Sequence, residues 1–254
     1  MNDEKLNLTV NFPLPDGRTL VKGPLTYSAD GLFTTHAVDW MREERFAKAY
    51  QLAMSSGHRF GADLHIEWRV YLPCWAAAVG IKLEGDFVEC GVDTGMFARA
   101  ICSYVGFERF PDRTLYLLDT YAGYPVEQLT EKERALGLGG YTHLYGDTYE
   151  LVREHMRDYP NVKLIKGRIP ESLADVPATK VACLLIDMNA AVPERAALEF
   201  FWDKLVPGAP VVLDDFAFAE HVEQRHVLGE FAASRGVDIF SMPTGQAFLI
   251  KPPR

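Results

Sequence analysis

The sequence has no excess of basic residues, no long apolar run and no paired-cysteine motif, and each absence narrows what the chain does. Its 254 residues include 26 Lys and Arg against 35 Asp and Glu, a net charge of −9. A surface field of that sign repels phosphate backbones and acidic headgroups, so neither nucleic acid nor membrane is expected as a partner. No stretch reaches the roughly 18 apolar residues that a spanning helix needs. The start, MNDEKLNLTV, lacks a basic segment followed by an apolar one, so the expected location is the cytoplasm. The four cysteines, Cys74, Cys90, Cys102 and Cys183, sit in apolar runs without C-x-x-C spacing, as reduced core thiols do. The G-x-G-x-x-G of NAD-binding folds is also missing, which argues against an NAD-dependent oxidoreductase.

What is present is apolar material. A chain of this length with 48% hydrophobic residues buries roughly 70–75% of its unfolded surface without help from metals or disulfides. Near-continuous apolar runs at 86–91, 114–119, 162–166, 181–187 and 209–214 read as strands buried on both faces of a parallel sheet. Helical patterns separate them at 95–105, 148–158, 193–204 and about 219–234, with Pro193 suited to a first turn. Two final strands around Pro243-Thr244-Gly245 read as an antiparallel C-terminal hairpin at the sheet edge. The predicted fold is α/β: a doubly wound, mostly parallel, seven-stranded Rossmann-like sheet in residues 85–254. Residues 1–84 form an N-terminal cover: a hairpin over 6–22, a loop around Asp30-Gly31, and helices over 36–54 and 64–79. That helical layer either packs over the mouth of the sheet or forms a homodimer contact. The glycine- and aromatic-rich segment 121–147 interrupts the alternation as a long, lid-like loop.

The acids cluster at the carboxyl ends of the strands: Glu89, Asp93, Asp119, Asp187, Asp214 and Asp215. A buried, unpaired charge costs several kcal/mol, so acids placed there need water, cations or hydrogen-bond donors. In α/β sheets ligands settle at that end, where a glycine turn and a helix N-terminus approach them, and Gly91 to Gly95 has that form. Asp119 ends the next strand, where a nucleotide-binding half presents an acid to the ribose hydroxyls; its plainer role is a helix cap. Asp187, Asp214 and Asp215 form a candidate site for a hard divalent cation such as Mg²⁺, with capping and solvation as the alternative. His221, with Gln224 on the same helix face, is either a base and substrate contact or a structural histidine.

These residues resemble those of class I S-adenosylmethionine-dependent methyltransferases, specifically the macrocin O-methyltransferase-like (TylF/MycF-type) group, over about residues 65–220. DFVECGV followed by Gly95 resembles its first motif, LYLLDTYAGYP its ribose-binding strand, VKLIKGRIPESL its third-strand motif, and LLIDMN with VVLDDF its metal-binding strand ends. The resemblance implies S-adenosylmethionine along Glu89, Gly91, Asp93, Thr94, Gly95, Asp119, Tyr121, Gly167, Arg168 and Asp187. It implies Mg²⁺ on Asp187, Asp214 and Asp215, and a hydroxyl acceptor on a small molecule such as a sugar of a natural product. The chain departs from the group's D-G-D-x-Y-E, which here reads Asp187-Met188-Asn189-Ala190-Ala191-Val192, so the acceptor pocket is expected to differ.

Methyl transfer needs the acceptor oxygen about 3–3.5 Å from the methyl group and a base for its proton. Asp187 or His221 is the candidate base, and Tyr141, His143, Asn189 and Gln224 are candidate acceptor contacts. Two other readings stay open: a metal-independent methyltransferase acting on another nucleophile, and a catalytically silent cofactor-binding or assembly subunit.

Overall fold

The computed structural model describes residues 24–58, 64–123 and 125–253. The hairpin expected over 6–22 lies outside them. The first described element is another hairpin, β1 (Tyr27–Ala29) paired antiparallel with β2 (Leu32–Thr34). The expected loop at Asp30-Gly31 is its turn. Both residues have left-handed φ, 48° and 75°, the backbone that makes Asp-Gly a favoured two-residue hairpin connection. The helix expected over 36–54 divides into a 3-10 turn at Asp39–Arg42 and α1 (Glu44–Met54), because Glu43 is extended between them.

Next comes α2 (Glu67–Gly80), with Pro73 inside it. A proline has no N–H for the carbonyl four residues earlier, here that of Arg69. The side-chain amide of Gln246 fills the vacancy, donating to the Arg69 carbonyl at 3.1 Å.

The main sheet follows the predicted scheme. Its strands are β3 (Asp86–Cys90), β4 (Leu115–Asp119), β5 (Val162–Lys166), β6 (Val181–Ile186), β7 (Pro210–Leu213), β8 (Phe240–Ser241) and β9 (Ala247–Ile250). They lie in the order β5-β4-β3-β6-β7-β9-β8. The first five are parallel to one another, and β9 runs antiparallel to both β7 and β8. This is a doubly wound Rossmann-like sheet with β3 at the centre of its five parallel strands. One strand departs from expectation: β5 is not buried on both faces. It is one of the two edge strands, and Lys163 and Lys166 are exposed on it, as charged side chains that block further pairing often are.

Helices α3 (Met96–Val105), α6 (Ala191–Trp202) and α7 (Val222–Ser234) provide the main crossovers. Alternate residues of each strand serve opposite cores. Phe87, Leu117, Cys183, Leu185 and Val212 face a core shared with Phe46 of α1, Val70 of α2 and Ile101 of α3. Val88, Leu118, Leu184, Ile186 and Leu213 face Phe201 of α6 and Phe231 of α7. Each such side chain contributes roughly 1.5–3 kcal/mol of burial.

The insertion is more ordered than a loop. It contains α4 (Glu131–Ala135), opened by a capping box in which Thr130 and Glu133 satisfy each other's backbone N–H. Glu133 is fully buried, and its other oxygen accepts the Ala191 N–H at 2.7 Å. One carboxylate therefore ties the insertion to the start of α6. The segment ends at α5 (Tyr149–His155).

The sheet centre imposes a backbone constraint at Gly91. A Cβ there would lie 1.6 Å from the carbonyl oxygen of Asp187, and its φ is +89°. Gly91→Ala is therefore expected to cost more than about 3 kcal/mol or to abolish folding, read as the midpoint of urea unfolding. A loss under about 1 kcal/mol contradicts the close approach of β3 and β6.

Candidate active site

A cavity of about 560 Å³ opens at the carboxyl end of the sheet, and the glycine turn and the acid triad both line it. The turn is held in an unusual way. Gly91, Asp93 and Gly95 all have positive φ, and the N–H groups of Val92 and Asp93 converge on one point. That point is occupied by Asp119: its Oδ2 accepts from both, at 2.6 and 2.9 Å. Its Oδ1 accepts the Tyr121 N–H at 2.7 Å and the Thr120 hydroxyl at 3.2 Å. An anion-binding concavity is thus filled by the protein's own carboxylate. A second anion, such as a phosphate, has no donors left at that point.

The other expected cofactor residues separate into two groups. Asp93, Thr94, Asp119, Gly167 and Asp187 line the cavity with Gly91. Glu89, Gly95, Tyr121 and Arg168 are not among its lining residues. Gly95 caps the N-terminus of α3 in the left-handed conformation. Tyr121 is buried behind the turn and donates its hydroxyl to the Leu117 carbonyl at 2.9 Å. Arg168 is half exposed and pairs with Glu127 at 2.5 Å. Glu89 is 1% exposed inside β3, and its Oε2 is buried without a partner. Burial, reinforced by the charges of Asp119 and Asp214, pushes its carboxyl well above the usual range.

At the other end of the cavity, carboxylate oxygens of Asp187, Asp214 and Asp215 lie within 4.8 Å of one another. All three carboxyls are raised, first by burial. Asp214 and Asp215 add to the shift of Asp187, and Asp215 is pushed up to about 6. Asp215 Oδ2 is buried with no hydrogen-bond partner. Three hard oxygen donors with an orphaned lone pair suit a divalent cation such as Mg²⁺. No local pattern in the chain marks the groups that surround Asp214. Gln246 donates to its Oδ1 at 2.6 Å, and Arg69 of α2 places Nη1 3.7 Å from its Oδ2. Burial works against the charge on Arg69, but Asp214 and Asp30 outweigh it and the net direction of its pKa is up.

His221 lines the cavity at the N-terminus of α7, whereas Gln224 lies fully buried behind it. Gln224 Nε2 donates to Glu194 Oε1 at 2.9 Å, which leaves its Oε1 as the partner of His221 Nδ1. The Nδ1 nitrogen must then carry the proton, and Nε2 is the acceptor. Glu194 also accepts the Met188 N–H at 3.1 Å, so the relay is anchored to the strand end beside Asp187. Burial, then the charge of Asp215, pushes the Glu194 carboxyl up to about 8.

Of the insertion candidates, Tyr141 lines the cavity, while His143 is exposed and donates Nδ1–H to Gly140 within its own turn. Asn189 lines the cavity with φ +57°, its amide 3.4 Å from the Tyr145 hydroxyl. The departure from D-G-D-x-Y-E therefore puts an amide where the strand end meets the insertion.

The family model for Macrocin-O-methyltransferase (TylF) matches residues 73–240. The chain belongs to that family. The chain is 23% identical over 166 residues to mycinamicin III 3''-O-methyltransferase of Micromonospora griseorubida, covering 60% of this chain and 63% of that protein. It is also 25% identical over 153 residues to 8-demethyl-8-(2,3-dimethoxy-alpha-L-rhamnosyl)-tetracenomycin-C 4'-O-methyltransferase of Streptomyces olivaceus, covering 57% of this chain and 58% of that protein. The chain thus spans less than two thirds of either relative. The O-methyltransferase NovP shares the fold, with a TM-score of 0.69 at 18% identity over 85% of this chain and 98% of NovP. Among the described residues no helix is long and apolar enough to cross a membrane.

The buried Glu89 makes a signed prediction. Its folded pKa is raised, so its contribution is intact below the unfolded carboxyl range and is lost as pH climbs from there through the folded value. Glu89→Gln is expected to stabilise the protein at pH 8 by roughly 1–3 kcal/mol relative to its effect at pH 4.5, followed by urea unfolding. An effect independent of pH contradicts the burial of an unpaired acid.

Proposed function

We propose that the chain is an S-adenosylmethionine-dependent O-methyltransferase acting on a hydroxyl of a small molecule, and that a divalent cation on Asp187, Asp214 and Asp215 assists. The observation that carries this reading is the cavity itself, with the Asp119-filled turn at one end and three carboxylates at the other. The macrocin O-methyltransferase family match supports it. When bound, S-adenosylmethionine supplies an electrophilic methyl group, and the cation supplies a charge that orients acceptor oxygens and lowers a hydroxyl pKa.

The chain's own residues do the rest. The turn from Gly91 to Gly95, with Thr94, Asp119 and Gly167, holds the nucleoside side. Asp187 sits where the two ends meet. The proton that leaves the acceptor hydroxyl passes to the Asp187 carboxylate or to Nε2 of His221, whose tautomer Gln224 and Glu194 fix. Tyr141 and Asn189 border the acceptor space, and a sugar hydroxyl is the acceptor suggested by the rhamnosyl in the name of the tetracenomycin relative.

A metal-independent mechanism has one observation in its favour: Arg69 already brings a positive charge to Asp214.

Calorimetry with S-adenosylmethionine and S-adenosylhomocysteine is expected to show binding of both, and binding of neither overturns the proposal. Once an acceptor hydroxyl is in hand, EDTA and Asp214→Ala are each expected to lower turnover by at least about tenfold. Unchanged rates support the metal-independent reading. His221→Ala is expected to lower kcat by about 10²–10⁴ if Nε2 takes the proton, and an unchanged kcat assigns that task to Asp187.

A further inference from the structure

Arg69 stands out because nothing in a methyl-transfer site of this design requires an arginine beside a metal ligand. It rises from α2 with a side chain 17% exposed, and it is held from two sides. Nη2 and Nε donate to Asp30 Oδ1 and Oδ2 at 2.7 and 3.3 Å, a forked pair with the β1–β2 turn. Nη1 lies 3.7 Å from Asp214 Oδ2, and the guanidinium packs over Phe218 at 4.7 Å.

The same region of α2 fixes the rest of the geometry. Pro73 leaves the Arg69 carbonyl without a helical donor, Gln246 donates to it, and the same Gln246 nitrogen donates to Asp214 Oδ1. The carboxylate of Asp214 is thus set in rotation by one oxygen, with the other turned to Arg69. A divalent cation among the three acids meets a like charge already in place.

We infer that Arg69 is a resident counter-cation of Asp214 that sets how tightly the acid triad holds a divalent ion, and that Asp30 limits how far Arg69 commits to that task. This rests on the cation reading of the triad. Without metal, Arg69 supplies positive charge to a carboxylate that burial disfavours, which keeps the site formed. With metal, its repulsion weakens the ion, which is then readily exchanged. The charge on Asp30 draws Arg69 away from the triad and offsets part of that repulsion. The β1–β2 hairpin is thereby coupled electrostatically to a site made by β6 and β7.

The test measures Mn²⁺ affinity by calorimetry on EDTA-stripped full-length protein, with thermal melts to show that each variant is folded. Arg69→Gln is expected to tighten Mn²⁺ binding about tenfold or more, because a like charge is removed. Asp30→Asn is expected to weaken it several-fold, because Arg69 loses its other partner. Arg69→Lys keeps the charge and is expected to stay within about threefold of the parent. A residue that served only to hold α2 and the hairpin in place would move both neutral variants the same way, towards weaker binding. If the parent binds Mn²⁺ and Arg69→Gln binds equally or more weakly, the inference fails while the triad remains a metal site. If neither binds, the triad reading fails and the inference with it. Binding that appears only in Arg69→Gln supports the inference in its strongest form.

Discussion

At Gly91 the backbone of β3 passes so close to Asp187 that a single added carbon would overlap its carbonyl oxygen. That contact is what makes one site of two. The glycine turn follows Gly91 directly, and the acid triad begins at Asp187, so the space between the turn and the triad is fixed by main chain. Side chains then refine what the backbone sets. Asp119 fills the turn with its own carboxylate and pins β3 to β4, and the Glu194–Gln224–His221 relay starts from the N–H of Met188, the residue after Asp187.

The second constraint is charge. A sheet whose strands end in acids pays for their burial at its mouth: burial first, with like charge added at Asp187 and Asp215, raises the carboxyls of Asp187, Asp214 and Asp215. The chain relieves this with neutral and cationic partners drawn from far away: Gln246 from the C-terminal hairpin and Arg69 from the N-terminal cover. Those partners explain why the segments outside the parallel core matter to its chemistry. The insertion is bound in a similar way, through the buried carboxylate of Glu133.

Much of this was legible in the sequence. Near-continuous apolar runs, glycine at the β3 turn and carboxylates where those runs stop are local signals, and they located the sheet, the turn and the triad. Two stretches expected as loop carry more order than that: Asp30-Gly31 builds a hairpin, and Thr130 to Glu133 caps α4. Long-range pairing was not legible. Nothing near Arg69 in the chain marks it as a partner of Asp214, and nothing near Gln246 shows that it would serve a carbonyl freed by Pro73. The resemblance does not distinguish residues that line the cavity from those beside it: Glu89 and Tyr121 are buried behind the turn, and Arg168 is half exposed and paired with Glu127.

The central claim is that one cavity holds a nucleoside sulfonium on the β3 turn and a cation on the acids beside it. The most direct measurement is a crystal structure of the chain with S-adenosylhomocysteine and Mn²⁺, with the metal located by its anomalous signal. The account predicts a single strong anomalous peak bounded by Asp187, Asp214 and Asp215, and the nucleoside on the turn with its sulfur facing that peak across the acceptor space. A nucleoside bound elsewhere, or no peak among the three acids at saturating Mn²⁺, contradicts it.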